Sequence, residues 1–242
     1  MAEHLWEIEE EFFTQGLSVI AGVDEAGRGP LAGPVCAAAV VLPRDLVIPG
    51  LNDSKKLTDA KRRELYDIIT SQAVSYGIAF ASEQEIDEMN ILQATFLAMR
   101  RALDQLSCKP DLALIDGNRE TDFGLPVKTI IKGDSLSANI AAASVLAKVT
   151  RDRYMEKMAE QYPGYGFEIH KGYGTKRHYA ALDELGESPI HRRSFLVKYH
   201  AQKAAAATGT SCSAVAASAA SCCAVTASGL TGTSKASRGA IA

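Results

Sequence analysis

The sequence predicts an α/β domain with a central mixed β-sheet flanked by helices, and three observations carry that prediction. Short apolar runs of strand length alternate along the chain with longer segments at helical spacing. Glycine, proline or aspartate punctuates most of these runs. The composition, 47% hydrophobic and 23% charged over 242 residues, is that of an ordinary globular chain, long enough to bury a core without disulfide support.

Taken in order, residues 1–15 are a helix candidate, with Leu5, Ile8, Phe12 and Phe13 at helical spacing. Residues 17–23 form a mostly apolar run that stops at Asp24 and reads as a buried strand. Residues 35–42, small and β-branched, are a second strand, and residues 74–80 alternate as a third. Ser82-Glu-Gln-Glu resembles a capping box, and a helical pattern follows over 91–106 through Phe96, Met99 and Leu103. Residues 112–115 read as a fourth strand ended by Asp116-Gly117, and 127–131 as a fifth ended by Lys132-Gly133-Asp134. Ser135 is expected to cap a long helix that runs toward Met158, with Ile140, Ala143, Val145, Leu146 and Val149 inward, until Tyr162-Pro163-Gly164 stops it. Residues 175–185 read as a further helix. From Ala201 onward alanine, serine, threonine and glycine dominate without an apolar period, which predicts a low-complexity, disordered tail over 201–242.

Net charge is −3 and the isoelectric point near 6.0, so a nucleic-acid partner would need a local basic footprint. Lysine, arginine and four of the five histidines do gather between Lys148 and His200, but Asp152, Glu156, Glu160 and Glu168 are interspersed. A solvated mixed-charge face and a functional patch both fit that stretch. Cys36, Cys108, Cys212, Cys222 and Cys223 show no metal-type spacing and read as reduced thiols. The charged first residues lack the apolar stretch of a secretion signal, and no run reaches the roughly 18–20 apolar residues of a membrane span. A cytoplasmic monomer is expected.

Three features share one form, an apolar strand ending in a carboxylate near glycine: Val23-Asp24-Glu25-Ala26-Gly27, Leu114-Ile115-Asp116-Gly117 and Ile131-Lys132-Gly133-Asp134. Carboxylates that converge repel one another and stay ionised together only when cations sit between them. Oxygen ligands without cysteine or clustered histidine select Mg²⁺ or Mn²⁺ rather than zinc. A pair of such ions can activate water and stabilise the leaving oxygen in phosphodiester cleavage. Asp-Gly after a strand is also plain turn chemistry, and spacing alone leaves both readings open.

The local sequence is more specific. Gly22-Val-Asp-Glu-Ala-Gly-Arg-Gly-Pro-Leu-Ala-Gly-Pro-Val35 resembles the opening signature of type 2 ribonucleases H, of the bacterial ribonuclease HII kind. Leu51-Asn-Asp-Ser-Lys-Lys-Leu57, Leu114-Ile-Asp-Gly-Asn-Arg119, Lys132-Gly-Asp134, Ala142-Ala-Ser-Val-Leu-Ala-Lys-Val-Thr-Arg-Asp152, His170-Lys-Gly-Tyr-Gly-Thr175 and His191-Arg-Arg-Ser-Phe195 agree in order. The resemblance covers about residues 16–200 and leaves the tail outside it. It implies a ribonuclease H-like fold with a catalytic core over 16–150 and a smaller helical part, 151–200, that helps hold the substrate. It further implies that Asp24, Glu25, Asp116 and Asp134 are catalytic and ligate two divalent cations, Mn²⁺ or Mg²⁺. Asp152 and Asp122 compete with Asp134 for the fourth place.

The implied substrate is an RNA–DNA hybrid, or duplex DNA holding a ribonucleotide, cut on the 5′ side of the ribonucleotide. Such an enzyme must detect the 2′-hydroxyl, the group that separates the two sugars. Gly27-Arg28-Gly29 suits that task, because glycines let the main chain approach the backbone and Arg28 can hold phosphate. Tyr173 matches the family tyrosine whose ring packs on a flat deoxyribose. Ser54, Lys55 and Lys56 are expected on backbone phosphate, with Lys148, Lys171, Arg192 and Arg193 as weaker phosphate candidates.

Overall fold

Side chains alternate across a strand, so an alanine- and valine-rich strand buried on both faces invites a helix onto each. The computed structural model, which describes residues 3–119 and 121–207, has that arrangement. Its strands are β1 (Ile20–Ala26), β2 (Val35–Val41), β3 (Ser75–Ala81), β4 (Leu112–Asp116) and β5 (Val127–Ile130), in the order β3-β2-β1-β4-β5. β2 runs antiparallel to β1 and β3, whereas β4 runs parallel to β1 and β5, so the sheet is mixed as expected. The helices are α1 (Glu7–Thr14), α2 (Asp59–Gln72), α3 (Glu83–Met89), α4 (Ile91–Leu103), α5 (Ala138–Gln161), α6 (Phe167–His170), α7 (Lys176–Leu185) and α8 (Arg193–Ala207).

On one face Cys36, Ala38 and Val40 of β2 meet Ala141, Ala142 and Val145 of α5, with Leu65 and Ile69 of α2 beside them. On the other, Ala37, Ala39 and Val41 meet Ala94, Ala98 and Met99 of α4. Each fully buried leucine or isoleucine adds roughly 1.5–3 kcal/mol. The small residues matter as much, because they let α5 press on the sheet: a Cβ at Gly22 would lie 2.1 Å from the carbonyl carbon of Asn139. The N-terminal segment joins the same layer, with Leu5 and Trp6 buried and the Trp6 indole donating to the Leu46 carbonyl at 2.9 Å.

Several boundaries differ from expectation. β1 does not stop at Asp24 but continues to Ala26, because Asp24, Glu25 and Ala26 pair with Ala38, Ala37 and Cys36 of β2. Ser82 caps the short α3, and Asn90 breaks the chain at φ 74° before capping α4, so the 82–106 pattern is two helices. Ser137, not Ser135, caps α5, its hydroxyl accepting from the Ile140 N–H at 3.2 Å. Ser135 closes a 3-10 turn, Gly133–Ser135. The expected boundary at 150/151 falls inside α5, which is one uninterrupted helix. Packing divides the chain after Val197, and of the part beginning at Lys198 only residues 198–207, the end of α8, are described. The tail expectation therefore fails for 201–207, where alanine continues the helix, and for 208–242 lies outside the described residues. Cys36 and Cys108 are free thiols, and Cys212, Cys222 and Cys223 fall outside the described residues. Among the described residues no helix is long and apolar enough to cross a membrane.

Candidate active site

The parallel pairing of β1 with β4 builds the first half of the site. Val23 stands opposite Ile115, so one step further along both strands Asp24 and Asp116 come side by side. Both share strand phase with Ile20, Leu112 and Leu114, which pack on Ile140 of α5, so they face the α5 side of the sheet. Asp134 arrives from the 3-10 turn rather than from a strand end. The Gly133 N–H donates to Asp116 Oδ1 at 2.7 Å and pins that turn against β4. One carboxylate oxygen each from Asp24, Asp116 and Asp134 lies within 4.8 Å of the others. Glu25, one residue on from Asp24, is of opposite strand phase and is not in that group. It lines the same cavity and pairs with Arg28 at 3.2 Å.

The electrostatics match a site built for cations. Burial pushes the Asp24 carboxyl well above the usual carboxylate range, and the charges of Glu25 and Asp116 push the same way. Burial also raises Glu25, against the pull of Arg28, and raises Asp116, helped by the charge of Asp134. Lys55 reaches in from the 3-10 turn Ser54–Lys56, its Nζ 3.0 Å from Asp134 Oδ2. Partial burial opposes the lysine charge, but the hydrogen bond and charge of Asp134, with Asp24 behind it, hold Lys55 above its ordinary value. The turn is fixed by Asp53, which accepts from the Lys55 N–H, and by Arg62 of α2, which donates to the carbonyls of Ser54 and Leu57. An all-oxygen set this close and this buried fits a hard divalent cation; Asp24, Asp116 and Asp134 are the residues that would hold it, with Glu25 beside them.

A cavity of about 220 Å³ joins Asp24, Glu25 and Asp116 to the other residues singled out in the sequence, and Asp134 adjoins it through Lys55. Gly27, Arg28, Gly29, Ser54, Lys55 and Tyr173 line it, as do Ser144, Lys148 and Arg151 of α5. The structure also gives Gly27 a different reason to be glycine. Its φ is +98°, and a Cβ there would lie 2.0 Å from Nε of Arg151. Gly29 has no such neighbour; its nearest contact would be Tyr173 Cε1 at 3.5 Å.

Two buried arginines hold this loop. Arg151 donates to the carbonyls of Pro34, Ala32 and Lys171 at 3.0–3.1 Å. Arg192 donates to those of Gly33, Arg28 and Gly27 at 2.8, 3.0 and 2.6 Å. Arg192 is fully buried, so its reading as a phosphate candidate is replaced by a structural one. Lys171 is likewise engaged, with Glu156 and the Glu168 carbonyl. Asp152 pairs with Lys148 at 2.7 Å, and exposed Asp122 stabilises its own loop through the Gly124 N–H; neither is in the acidic group. Arg151 is the residue that sequence reasoning left in the general basic stretch. The signal for it was present, since Ser144, Lys148, Arg151 and Met155 recur at helical spacing on one face of α5.

The comparisons bear on the family and the fold. The family model for ribonuclease HII matches residues 21–201. The ribonuclease HII of Endomicrobium trichonymphae is 53% identical over 196 residues, 81% of this chain and 93% of that protein. The ribonuclease HII of Geobacillus sp. (strain WCH70) is 56% identical over 187 residues, 77% of this chain and 67% of that protein. The crystal structure of ribonuclease H2 from Pyrococcus horikoshii OT3 superposes with a TM-score of 0.65 at 32% identity, over 76% of this chain and 98% of that one. Fold and site thus define a ribonuclease H-like enzyme, an endoribonuclease of RNA–DNA hybrids. The chain belongs to the ribonuclease HII family.

Proposed function

We propose that the enzyme cuts the phosphodiester on the 5′ side of a ribonucleotide, in long hybrids and at ribonucleotides embedded in duplex DNA, leaving 3′-hydroxyl and 5′-phosphate ends. The observation that carries this reading is one cavity lined by Asp24, Glu25 and Asp116 of the acidic site together with the Gly27–Gly29 loop and Tyr173, with Asp134 within 4.8 Å of Asp24 and Asp116. Asp24, Asp116 and Asp134, with Glu25 beside them, would hold two divalent cations, Mg²⁺ or Mn²⁺. When bound, these supply Lewis-acid stabilisation of charge developing at the phosphate and lower the proton affinity of the attacking water.

Around that centre the chain's own groups orient the duplex. The Gly27 and Arg28 carbonyls already accept from Arg192, each keeping a second lone pair, so recognition of the 2′-hydroxyl is shared between the carbonyls and the N–H groups of the Gly27–Gly29 loop. Tyr173, 45% exposed, offers its ring to the deoxyribose on the other side of the junction. Lys55 and Ser54 meet backbone phosphate, contacts that carry no base readout, so cutting is largely independent of sequence.

The test is cleavage of a duplex carrying one ribonucleotide beside the same duplex in DNA alone, with Mg²⁺ and with Mn²⁺. Cutting confined to the ribonucleotide position is expected. Equal cutting of both would instead indicate a general two-metal nuclease, and binding without cutting a hybrid-binding protein.

A further inference from the structure

His178 and His191 lie outside the acidic group, yet they connect to the cavity through Tyr173. His178 lies in the first turn of α7, and its Nδ1 lies 3.0 Å from the Tyr173 carbonyl, which also accepts from the Thr175 N–H at 2.8 Å. Its Nε2 lies 3.0 Å from Nε2 of His191, and His191 Nδ1 accepts the Ser188 N–H at 2.9 Å. Both rings are buried, and His178 packs edge-on against Phe167.

These contacts allow one proton arrangement. A carbonyl only accepts, so His178 must carry its proton on Nδ1 and present a lone pair at Nε2. The lone pair at His178 Nε2 requires a donor, so neutral His191 carries its proton on Nε2 and presents a lone pair at Nδ1. That Nδ1 accepts from the Ser188 N–H at 2.9 Å and the Ser188 hydroxyl at 2.8 Å, while the Ser188 carbonyl stands farther off at 3.3 Å. Each ring then donates forward, and the direction runs Ser188, His191, His178, Tyr173. At its end the Tyr173 carbonyl is held, while the Tyr173 N–H donates to the His170 carbonyl at 2.9 Å. The peptide groups on both sides of the tyrosine are thereby fixed, with its ring edge against Gly29.

We propose that Ser188, His191 and His178 form an oriented hydrogen-bond relay that positions Tyr173 for discrimination of the RNA–DNA junction. His178 and His191 are positioning residues and touch no substrate. The inference rests on the reading of Tyr173 as a substrate contact.

Two variants of His178 separate positioning from packing. Asparagine keeps a donor near the place of Nδ1 but loses the ring, whereas phenylalanine keeps the ring and loses the donor. The quantity to measure is the ratio of kcat/KM on a duplex with one ribonucleotide to kcat/KM on a long hybrid. His178→Phe is expected to lower that ratio about tenfold, the loss of one oriented hydrogen bond, while His178→Asn, which keeps the donor to the Tyr173 carbonyl but not the acceptor for the His191 N–H, recovers part of the loss. Full recovery would show that the His191 link is dispensable and overturn the relay. An unchanged ratio in His178→Phe, or an equal fall in His178→Asn, overturns the relay. Should the phenylalanine variant fail to fold, ¹⁵N chemical shifts of the wild-type imidazoles decide: protonation of His178 at Nδ1 and His191 at Nε2 is expected, and the opposite tautomers overturn the proposal. Tyr173→Ala, run alongside, keeps the two readings apart. If that variant leaves the ratio unchanged, the substrate role of Tyr173 falls and the relay with it. If it lowers the ratio and His178→Phe does not, the relay alone falls.

Discussion

Asp116 is the side chain on which the acidic group turns, since it stands beside Asp24 and accepts the hydrogen bond that fixes the turn carrying Asp134. Asp116→Asn removes one negative charge with little change of shape. Cutting is expected to vanish while hybrid binding, measured by gel shift, is retained; full activity would remove Asp116 from the reaction. The same variant tests cation binding apart from catalysis. A divalent ion at a hundred times its dissociation constant stabilises the folded state by about 2.7 kcal/mol, a rise in Tm of roughly 5–10 °C for a domain of this size. Wild-type protein titrated with Mn²⁺ should show that rise, and Asp116→Asn should lose most of it.

At the scale of the element, the Gly27–Pro34 loop owes its shape to two arginines that arrive from α5 and from the start of α8. Gly27→Ala would strain a left-handed backbone and drive a methyl into the Arg151 side chain, costing about 2–4 kcal/mol. Gly29→Ala meets only ordinary contact and should melt within a few degrees of wild type; if Gly29 meets the sugar as proposed, the variant should also cut poorly. If thermal melts show the two variants equally stable, the account of Gly27 is wrong. Glu9 makes a comparable prediction for α1: it is buried and accepts from the Ser137 hydroxyl, the Asn139 N–H and the Asn139 amide at 2.6–3.1 Å. Glu9→Ala should cost about 2–3 kcal/mol in urea unfolding, since three buried donors lose their acceptor. The sequence announced the strands through their apolar runs and the acids through their motifs. It hid what depends on partners. The extension of β1 past Asp24 needed β2, and the opposite facing of Glu25 follows from that same pairing. α2 carries Leu65 and Ile69 one turn apart under a Thr58 cap, a signal that went unread among its many charges. Buried Arg192 could not be told from its exposed neighbour Arg193 without the carbonyls it meets.

Over the whole molecule, the histidines set an acid limit on stability. Burial pushes His178 and His191 down to about 4, against an ordinary value of 6.5, and lowers His170 in the same direction. The unfolded chain therefore binds protons that the folded chain refuses between those values. Stability from this source is complete above pH 6.5 and is lost as pH falls toward 4. Glu9 and the acidic group, raised by burial, act in the opposite sense, so the comparison must be with a histidine variant. At pH 5 wild type should have lost about 2 kcal/mol relative to His178→Phe, compared with their difference at pH 7.5, in urea unfolding. A pH-independent difference would show that His178 is not buried as a neutral ring.

The length of α5 has one last consequence. Its 24 residues span about 36 Å at 1.5 Å per residue, and the part from the Ser137 cap past Lys148 and Arg151 to Met155, which lies against Gly172, covers about 27 Å of that. The strands that carry Asp24 and Asp116 pack on the first turn of this rod and the Gly27–Pro34 loop is held by Arg151 further along it, so a break in the rod uncouples the two. Fragments severed within that rod should not reassemble into working enzyme, whereas a nick in an exposed surface turn should be tolerated.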